Sequence, residues 1–281
     1  MTAVTALEKH ITVNGIQLRY LDWGTKGNLP MVCLHGHTGQ AHIWDQFAEA
    51  MAPHYHVLAV DQRGHGESEW AETGYERDRF VEDLAEFVDT LGFQQFVLVG
   101  LSMGGWHSLL YTPNHQERVK RIVIVDIAPE PGPNYVKLRD SLPLTPIEFP
   151  SLSAVVDWMR KGNPWASDAA LRKDAQDKMR ESKDGSWRWK ADPKLHSTRL
   201  RDLDDPEMIQ RYWDSFTAIT CPILEVRGTE SILVSDPTIA RMKREGHQFT
   251  SIDIEGAGHV VAVDKPLEFI ESTRSFLDVP V

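Results

Sequence analysis

Phe96-Val97-Leu98-Val99-Gly100-Leu101-Ser102-Met103-Gly104-Gly105 decides how the chain folds. Four consecutive apolar residues, two of them β-branched, read as a strand buried on both faces. The residues that follow are helix-compatible as far as Tyr111, and Pro113 limits the helix. Between them lies Gly100-x-Ser102-x-Gly104. A strand-to-helix turn this tight forces its middle residue into strained backbone geometry and holds that side chain at the edge of the sheet. Glycines two positions either side let strand and helix approach without a side-chain clash, and the free N–H groups of the helix point toward the same spot. Ser102 is the candidate nucleophile.

Working outward, strand-like runs recur at Ile16–Trp23, Met31–Leu34, His56–Val60, Arg121–Val125, Pro222–Val226 and Phe249–Ile254. Most are continuously apolar, as parallel strands with both faces covered require. Helical patterns alternate with them. In Glu76–Leu91, Phe80, Val81, Leu84, Phe87, Val88 and Leu91 share one face and Gly92 stops the helix; Thr238–Glu245 and Pro266–Leu277 are two more. Alternation of this kind predicts an α/β fold with an open, mostly parallel sheet between layers of helices.

The alternation stops between about Pro129 and Thr220. This stretch opens with three prolines (129, 131 and 133) and holds five of the nine tryptophans: Trp158, Trp165, Trp187, Trp189 and Trp213. It shows no strand runs and no repeats, and a structureless loop of that length is improbable. It reads as a helical cap, residues 130–218, inserted into a core formed by 1–129 and 219–281. Charge divides the same way. Residues 131–218 hold 14 acidic and 15 basic side chains, whereas the remainder holds 27 and 15.

The 281 residues suffice for one large domain with such an insert, and 41% hydrophobic with 25% charged residues is an ordinary globular balance. A formal net charge of −11 argues against nucleic acid or an anionic membrane as partner. Two cysteines, Cys33 and Cys221, suggest neither a disulfide framework nor a metal site. No stretch approaches 18 apolar residues and the first fifteen residues lack a signal-peptide core, so the expectation is a cytoplasmic protein without a membrane span.

A serine hydroxyl needs a base. Of twelve histidines, His259 in Gly256-Ala257-Gly258-His259 is best placed, beyond the last strand run and before the final helix. An oxyanion needs two N–H donors. One is the amide of Met103; the other is assigned to His37, in the loop His35-Gly36-His37-Thr38-Gly39, where Gly36 and Gly39 permit an inward-turned amide. Reading His35 and His37 as metal ligands lacks further ligands nearby. Asp61 and Arg63, in Asp61-Gln62-Arg63-Gly64-His65-Gly66-Glu67-Ser68, read as loop-fixing charges. Two carboxylates compete for the place of supporting acid. Asp126 ends the sixth strand run, where it is rigidly held; Glu230 lies in Gly228-Thr229-Glu230-Ser231 after the next one.

The runs HGHTG (35–39), DQRGHGES (61–68), GLSMGG (100–105), VDIAP (125–129), VRGTES (226–231) and EGAGH (255–259) resemble, in order and spacing, the α/β-hydrolase superfamily. The resemblance extends over about residues 16–277, with the cap free of diagnostic motifs. It implies an eight-stranded, mostly parallel sheet, a helical cap after the sixth strand and no cofactor. Many relatives carry an aspartate three residues after the glycine of the seventh strand, where this chain has Ser231. The Val125-Asp126-Ile127-Ala128-Pro129 arrangement resembles esterases that keep their acid at the sixth strand, which favours Asp126 over Glu230.

The chain looks most like the small carboxylesterase and acyl-hydrolase branches. Epoxide hydrolases and haloalkane dehalogenases have aspartate at the elbow and are set aside. The implied activity is hydrolysis of a small-molecule ester with a hydrophobic portion through an acyl-enzyme. Alternatives on the same scaffold are a C–C bond or lactone hydrolase, a cofactor-free dioxygenase and a ligand receptor, since one fold hosts many chemistries.

Overall fold

The computed structural model describes residues 5–24, 27–139, 145–197 and 201–280. Among these residues eleven strands are formed: Leu7–Val13 (β1), Ile16–Asp22 (β2), Pro30–Leu34 (β3), His56–Val60 (β4), Phe96–Leu101 (β5), Val119–Val125 (β6), Glu148–Phe149 (β7), Met179–Glu181 (β8), Trp187–Trp189 (β9), Ile223–Gly228 (β10) and Phe249–Ile254 (β11). Eight of them make one sheet in the order β1-β2-β4-β3-β5-β6-β10-β11. From β4 to β11 all neighbours are parallel, while β1 and β2 run antiparallel at one end. The eight-stranded, mostly parallel α/β architecture expected from the sequence is therefore the fold.

Strand β1 was not foreseen. It is an edge strand whose side chains are mostly exposed or half-buried, so it lacks the apolar run that marks the interior strands. Its turn, Asn14-Gly15, has φ of 46° and 78° at the two residues. This is the left-handed pair that a two-residue hairpin needs, and Asn-Gly is its usual sequence.

Alternate residues of the inner strands face opposite sides of the sheet, and each side has its own core. Leu98, Ile122 and Ile124 join Phe87, Trp106 and Phe216 on one side. Val97, Val99, Val123 and Val125 join Trp44, Phe47 and Phe269 on the other. The helix expected at Glu76–Leu91 spans Arg77–Thr90 and buries Phe80, Leu84, Phe87 and Val88. A short helix at Asp45–Met51, unmarked by any long periodicity, covers the second side through Phe47 and Met51.

The segment between β6 and β10 departs from the purely helical insert expected. Helices Leu152–Gly162 and Asp168–Lys178 are present, but β7, β9 and β8 form a small antiparallel sheet against them. Strands of two or three residues are too short to show a period in sequence. Phe149, Trp158 and Trp189 meet edge to face in its own small core, with centroids 5.8–6.1 Å apart. Helix Pro206–Ala218 belongs elsewhere: Tyr212, Trp213 and Phe216 are buried in the main core, and Tyr212 stacks on Trp106. No helix of the described residues is long and apolar enough to cross a membrane.

Candidate active site

Strand register brings the site together. Leu101 of β5 is level with Val125 of β6, and Val125 is level with Val226 of β10. The next residue on each chain continues the ladder for one more bond: Ser102 N donates to Val125 O at 3.1 Å, and Asp126 N donates to Val226 O at 3.0 Å. Ser102 and Asp126 therefore emerge side by side at the carboxyl edge of the sheet, where ligands of open α/β sheets bind.

Ser102 has φ 51° and ψ −118°, is 5% exposed, and immediately precedes helix Met103–Tyr111. A non-glycine residue in that region costs of order 1–3 kcal/mol and is held there only by tight surroundings. The surroundings are tight because glycines on both sides of Ser102 let the backbones close up. A Cβ on Gly104 would lie 2.3 Å from Leu34 O, and one on Gly100 would lie 2.5 Å from the Gly104 backbone. Ser102 O accepts from Gly105 N and Trp106 N. The Met103 amide belongs to the first turn, where the helical ladder uses no N–H.

His259 follows β11 by five residues, and its Nδ1 is 2.7 Å from Asp126 Oδ2. Because a carboxylate accepts, this pairing assigns the ring proton to Nδ1 and leaves Nε2 as the basic nitrogen. Asp126 is fully buried, with φ 50°. Two further donors converge on it, Ser231 Oγ at 2.5 Å from Oδ2 and Gly228 N at 3.4 Å from Oδ1. Ser231 thus donates to the Asp126 carboxylate on the neighbouring strand. Glu230 is exposed; its amide donates to Ala257 O at 2.9 Å, and its carboxylate makes no hydrogen bond to His259. No hydrogen bond joins Ser102 to His259 within the described residues, but both line one cavity of about 660 Å³. Hydrogen bonds of this type often tighten only with substrate present.

The turn Gly36–Gly39 flanks Ser102 on the other side. It closes through Gly39 N donating to Gly36 O at 3.0 Å. The left-handed residue in it is Thr38, at φ 56°, and not either glycine. The glycines serve proximity: a Cβ on Gly36 would come within 3.2 Å of Ser102 Cβ, and one on Gly39 within 2.9 Å of Gly36 O. His37 lines the same cavity as Ser102.

His35 is spoken for structurally. Its Nδ1 donates to Gly36 O at 2.7 Å and its Nε2 accepts from Gln62 N at 3.0 Å. Burial, followed by the neighbouring His65, holds its pKa well below the usual histidine range. Asp61 and Arg63 fix their loop as expected, though not with each other. Asp61 accepts from Ala41 N and Glu67 N and faces Arg19 at 3.1 Å, while Arg63 grips Asp83 through two bonds of 2.6 and 2.7 Å.

Sequence reasoning missed a clasp between insert and core. Asn163 Nδ2 donates to Asp264 Oδ1 at 2.6 Å, and Gly258 N donates to Asp264 Oδ2 at 2.9 Å. Trp165 lies against the same peptide, since a Cβ on Gly258 would come within 2.3 Å of its ring. One buried carboxylate therefore ties the end of helix Leu152–Gly162 to the residue preceding His259. Burial raises the Asp264 pKa despite these bonds. The cavity is otherwise largely apolar, with Leu101, Trp106, Leu233 and Val260 in its walls. Trp165 and Ile232, 37% and 40% exposed, also line it.

The family model for the α/β-hydrolase fold matches residues 30–219. Esterase Rv0045c of Mycobacterium tuberculosis is 32% identical over 267 residues, covering 92% of this chain and 85% of that protein. The 3-hydroxybutyrate-oligomer hydrolase of Cupriavidus necator is 26% identical over 278 residues, covering 92% of each. The crystal structure of E-2-(acetamidomethylene)succinate hydrolase superposes with a TM-score of 0.84 at 24% identity, covering 98% of this chain and 100% of that one. With a serine on a strained strand-to-helix turn, a histidine–aspartate pair beside it and this match, the chain belongs to the α/β-hydrolase family and is a hydrolase.

Proposed function

We propose that the chain is a carboxylic ester hydrolase that works through an acyl-enzyme on Ser102. The observation that carries this reading is the 2.7 Å pairing of His259 Nδ1 with Asp126 Oδ2 in the cavity that Ser102 also lines. His259 Nε2 takes the proton from Ser102 Oγ as the oxygen attacks the ester carbonyl. The amides of His37 and Met103 hold the developing oxyanion, and a donor of this kind is worth about 2.7–4 kcal/mol in the transition state. The imidazolium, stabilised by Asp126, gives its proton to the departing alcohol. A water deprotonated by His259 then releases the acid and restores Ser102. Ser231 and Gly228 orient Asp126 by donating to it, as outer partners of a catalytic group commonly do.

The small unit between β6 and β10 acts as a cap that sets substrate choice. A cavity of about 660 Å³ with apolar walls suits an ester with a substantial hydrophobic portion. The names of the relatives support hydrolysis of acyl compounds, one of them being an esterase and another acting on oligomers of 3-hydroxybutyrate. Multiple turnover of p-nitrophenyl butyrate by the purified protein, abolished by a serine-directed phosphonate, is the expected result. A single slow burst without turnover would point to a receptor instead. Trimming the insert is expected to change the acyl-length profile while acetyl esters are still cleaved.

A further inference from the structure

Three carboxylate or ammonium side chains line the cavity: Glu230 from the core, and Lys161 and Lys178 from the insert. Two ammonium groups against one carboxylate are a local reversal in a chain of net charge −11. Lys178 ends helix Asp168–Lys178, is only 14% exposed, and has a partner in Asp174 at 2.7 Å. Lys161 differs. Among the described residues it makes neither an ion pair nor a side-chain hydrogen bond. A lysine near a helix carboxyl terminus is ordinarily explained by the helix dipole. Arg160 shares that last turn but is engaged beyond the helix, by Ala166 O and Asp168, which leaves Lys161 as the cation there without a bond of its own. The dipole gives no reason for Lys161 to line a cavity whose remaining walls are mostly apolar.

From this charge pattern we infer that the substrate carries an anionic group, a carboxylate being the simplest, at the end away from the scissile ester. Lys161 meets that group as an unpartnered cation, whereas Lys178, at the far end of the next helix and paired with Asp174, contributes only to the overall positive charge of the cavity lining. The apolar walls take the chain between the two ends. Near the sheet, a carboxylate ester of this type meets Ser102 and His259; near the insert, it meets ammonium. This inference rests on the ester-hydrolase reading above and narrows it to acidic esters. Lys161 is itself exposed at the mouth of the cavity, so the attraction is open to screening by salt.

Two pairs of esters of matched shape test it, because either side of the ester could bear the charge. One pair is monoethyl glutarate against ethyl 5-methylhexanoate. The other is 4-acetoxybutanoate against 4-methylpentyl acetate. Turnover is followed in a pH-stat at low salt with the wild-type protein, Lys161→Met and Lys161→Glu. In at least one pair, the wild type is expected to prefer the acidic member by about fivefold in kcat/KM, the upper end of what an exposed ion pair contributes. In Lys161→Met that ratio falls to about one, and in Lys161→Glu it inverts; 0.5 M KCl compresses the wild-type ratio. Turnover of both pairs with no preference for the acidic member, or an unchanged ratio in Lys161→Met, overturns the inference while leaving ester hydrolysis intact. No turnover of any ester, p-nitrophenyl acetate included, overturns the ester reading itself.

Discussion

Replacing Asp126 by asparagine removes one negative charge with almost no change of shape. Asp126 sits at φ 50°, a left-handed conformation that asparagine tolerates better than most residues, so the backbone of the turn is retained. The carboxylate receives three donors, from His259, Ser231 and Gly228. A carboxamide offers only one oxygen. If that oxygen takes the Oδ2 position, His259 keeps its tautomer but loses the charge that stabilises the imidazolium. If the NH2 takes it, Nδ1 must accept, the ring proton moves to Nε2, and His259 no longer serves Ser102 as a base. Either outcome lowers kcat, and the known scale for a triad acid is ~10⁴, or about 5.5 kcal/mol at 1.36 kcal/mol per decade. Initial rates on p-nitrophenyl butyrate, with near-UV circular dichroism to check the fold, measure it. Glu230→Gln, which removes no bond to His259, is expected to cost less than about tenfold. Adding Ser231→Asp to Asp126→Asn returns a carboxylate to a position whose present oxygen lies 2.5 Å from Asp126 Oδ2. This double variant is expected to recover at least about tenfold over Asp126→Asn, since each decade needs only 1.36 kcal/mol. If Asp126→Asn kept near-wild-type kcat while Glu230→Gln lost several orders of magnitude, the acid would be Glu230 and the reasoning from register would be wrong.

Asp264→Ala leaves Asn163 Nδ2 and Gly258 N without their acceptor and frees the loop bearing His259. Its kcat is expected to fall by about tenfold or more, with substrate-independent loss, and Asn163→Ala, which leaves the Gly258 bond, should fall less; equal rates in all three proteins would remove the clasp from the account. Glu225, fully buried on β10, has its pKa raised well above the usual carboxylate range by burial and then by the nearby Asp126. Folding therefore favours its neutral form, and this contribution is full below the unfolded pKa of about 4.5 and is lost as pH rises toward the folded value. Glu225→Gln is accordingly expected to gain Tm relative to the wild type progressively above pH 5, and a Tm difference that is flat with pH would refute the assignment.

What the sequence made legible was local. The interior strands are continuous apolar runs because helices cover both faces of the sheet, and the elbow around Ser102 is a fixed spacing of glycines about one residue. The edge strand Leu7–Val13 escaped because an exposed strand alternates with polar residues, although Asn14-Gly15 was a usable signal. The three short strands of the insert were invisible for want of length. Within the site, Ser102, His259 and Asp126 all sit in motifs, and the VDIAP run already favoured Asp126 over Glu230; that Ser102 and Asp126 emerge side by side is a matter of strand register, which is a tertiary property. Likewise, nothing in the sequence separates a left-handed Thr38 from the glycines beside it. The clasp was out of reach altogether, because Asn163 and Asp264 are 101 positions apart and neither stands in a pattern. Ser231 shows the intermediate case: its departure from the aspartate of relatives was plain, but its donation to Asp126 needed the fold.

Ser102 Oγ is expected to become covalently acylated during turnover. Intact-mass and peptide mass spectrometry after treatment with a serine-directed phosphonate, run beside initial rates on p-nitrophenyl butyrate, tests it most directly. The expected result is one adduct per chain, on the peptide carrying Ser102, formed in step with loss of turnover. Ser102→Ala is expected to take up no label and to lose several orders of magnitude in kcat while remaining folded. Turnover near the wild-type rate in Ser102→Ala, or inactivation with the label on another residue, would contradict the account.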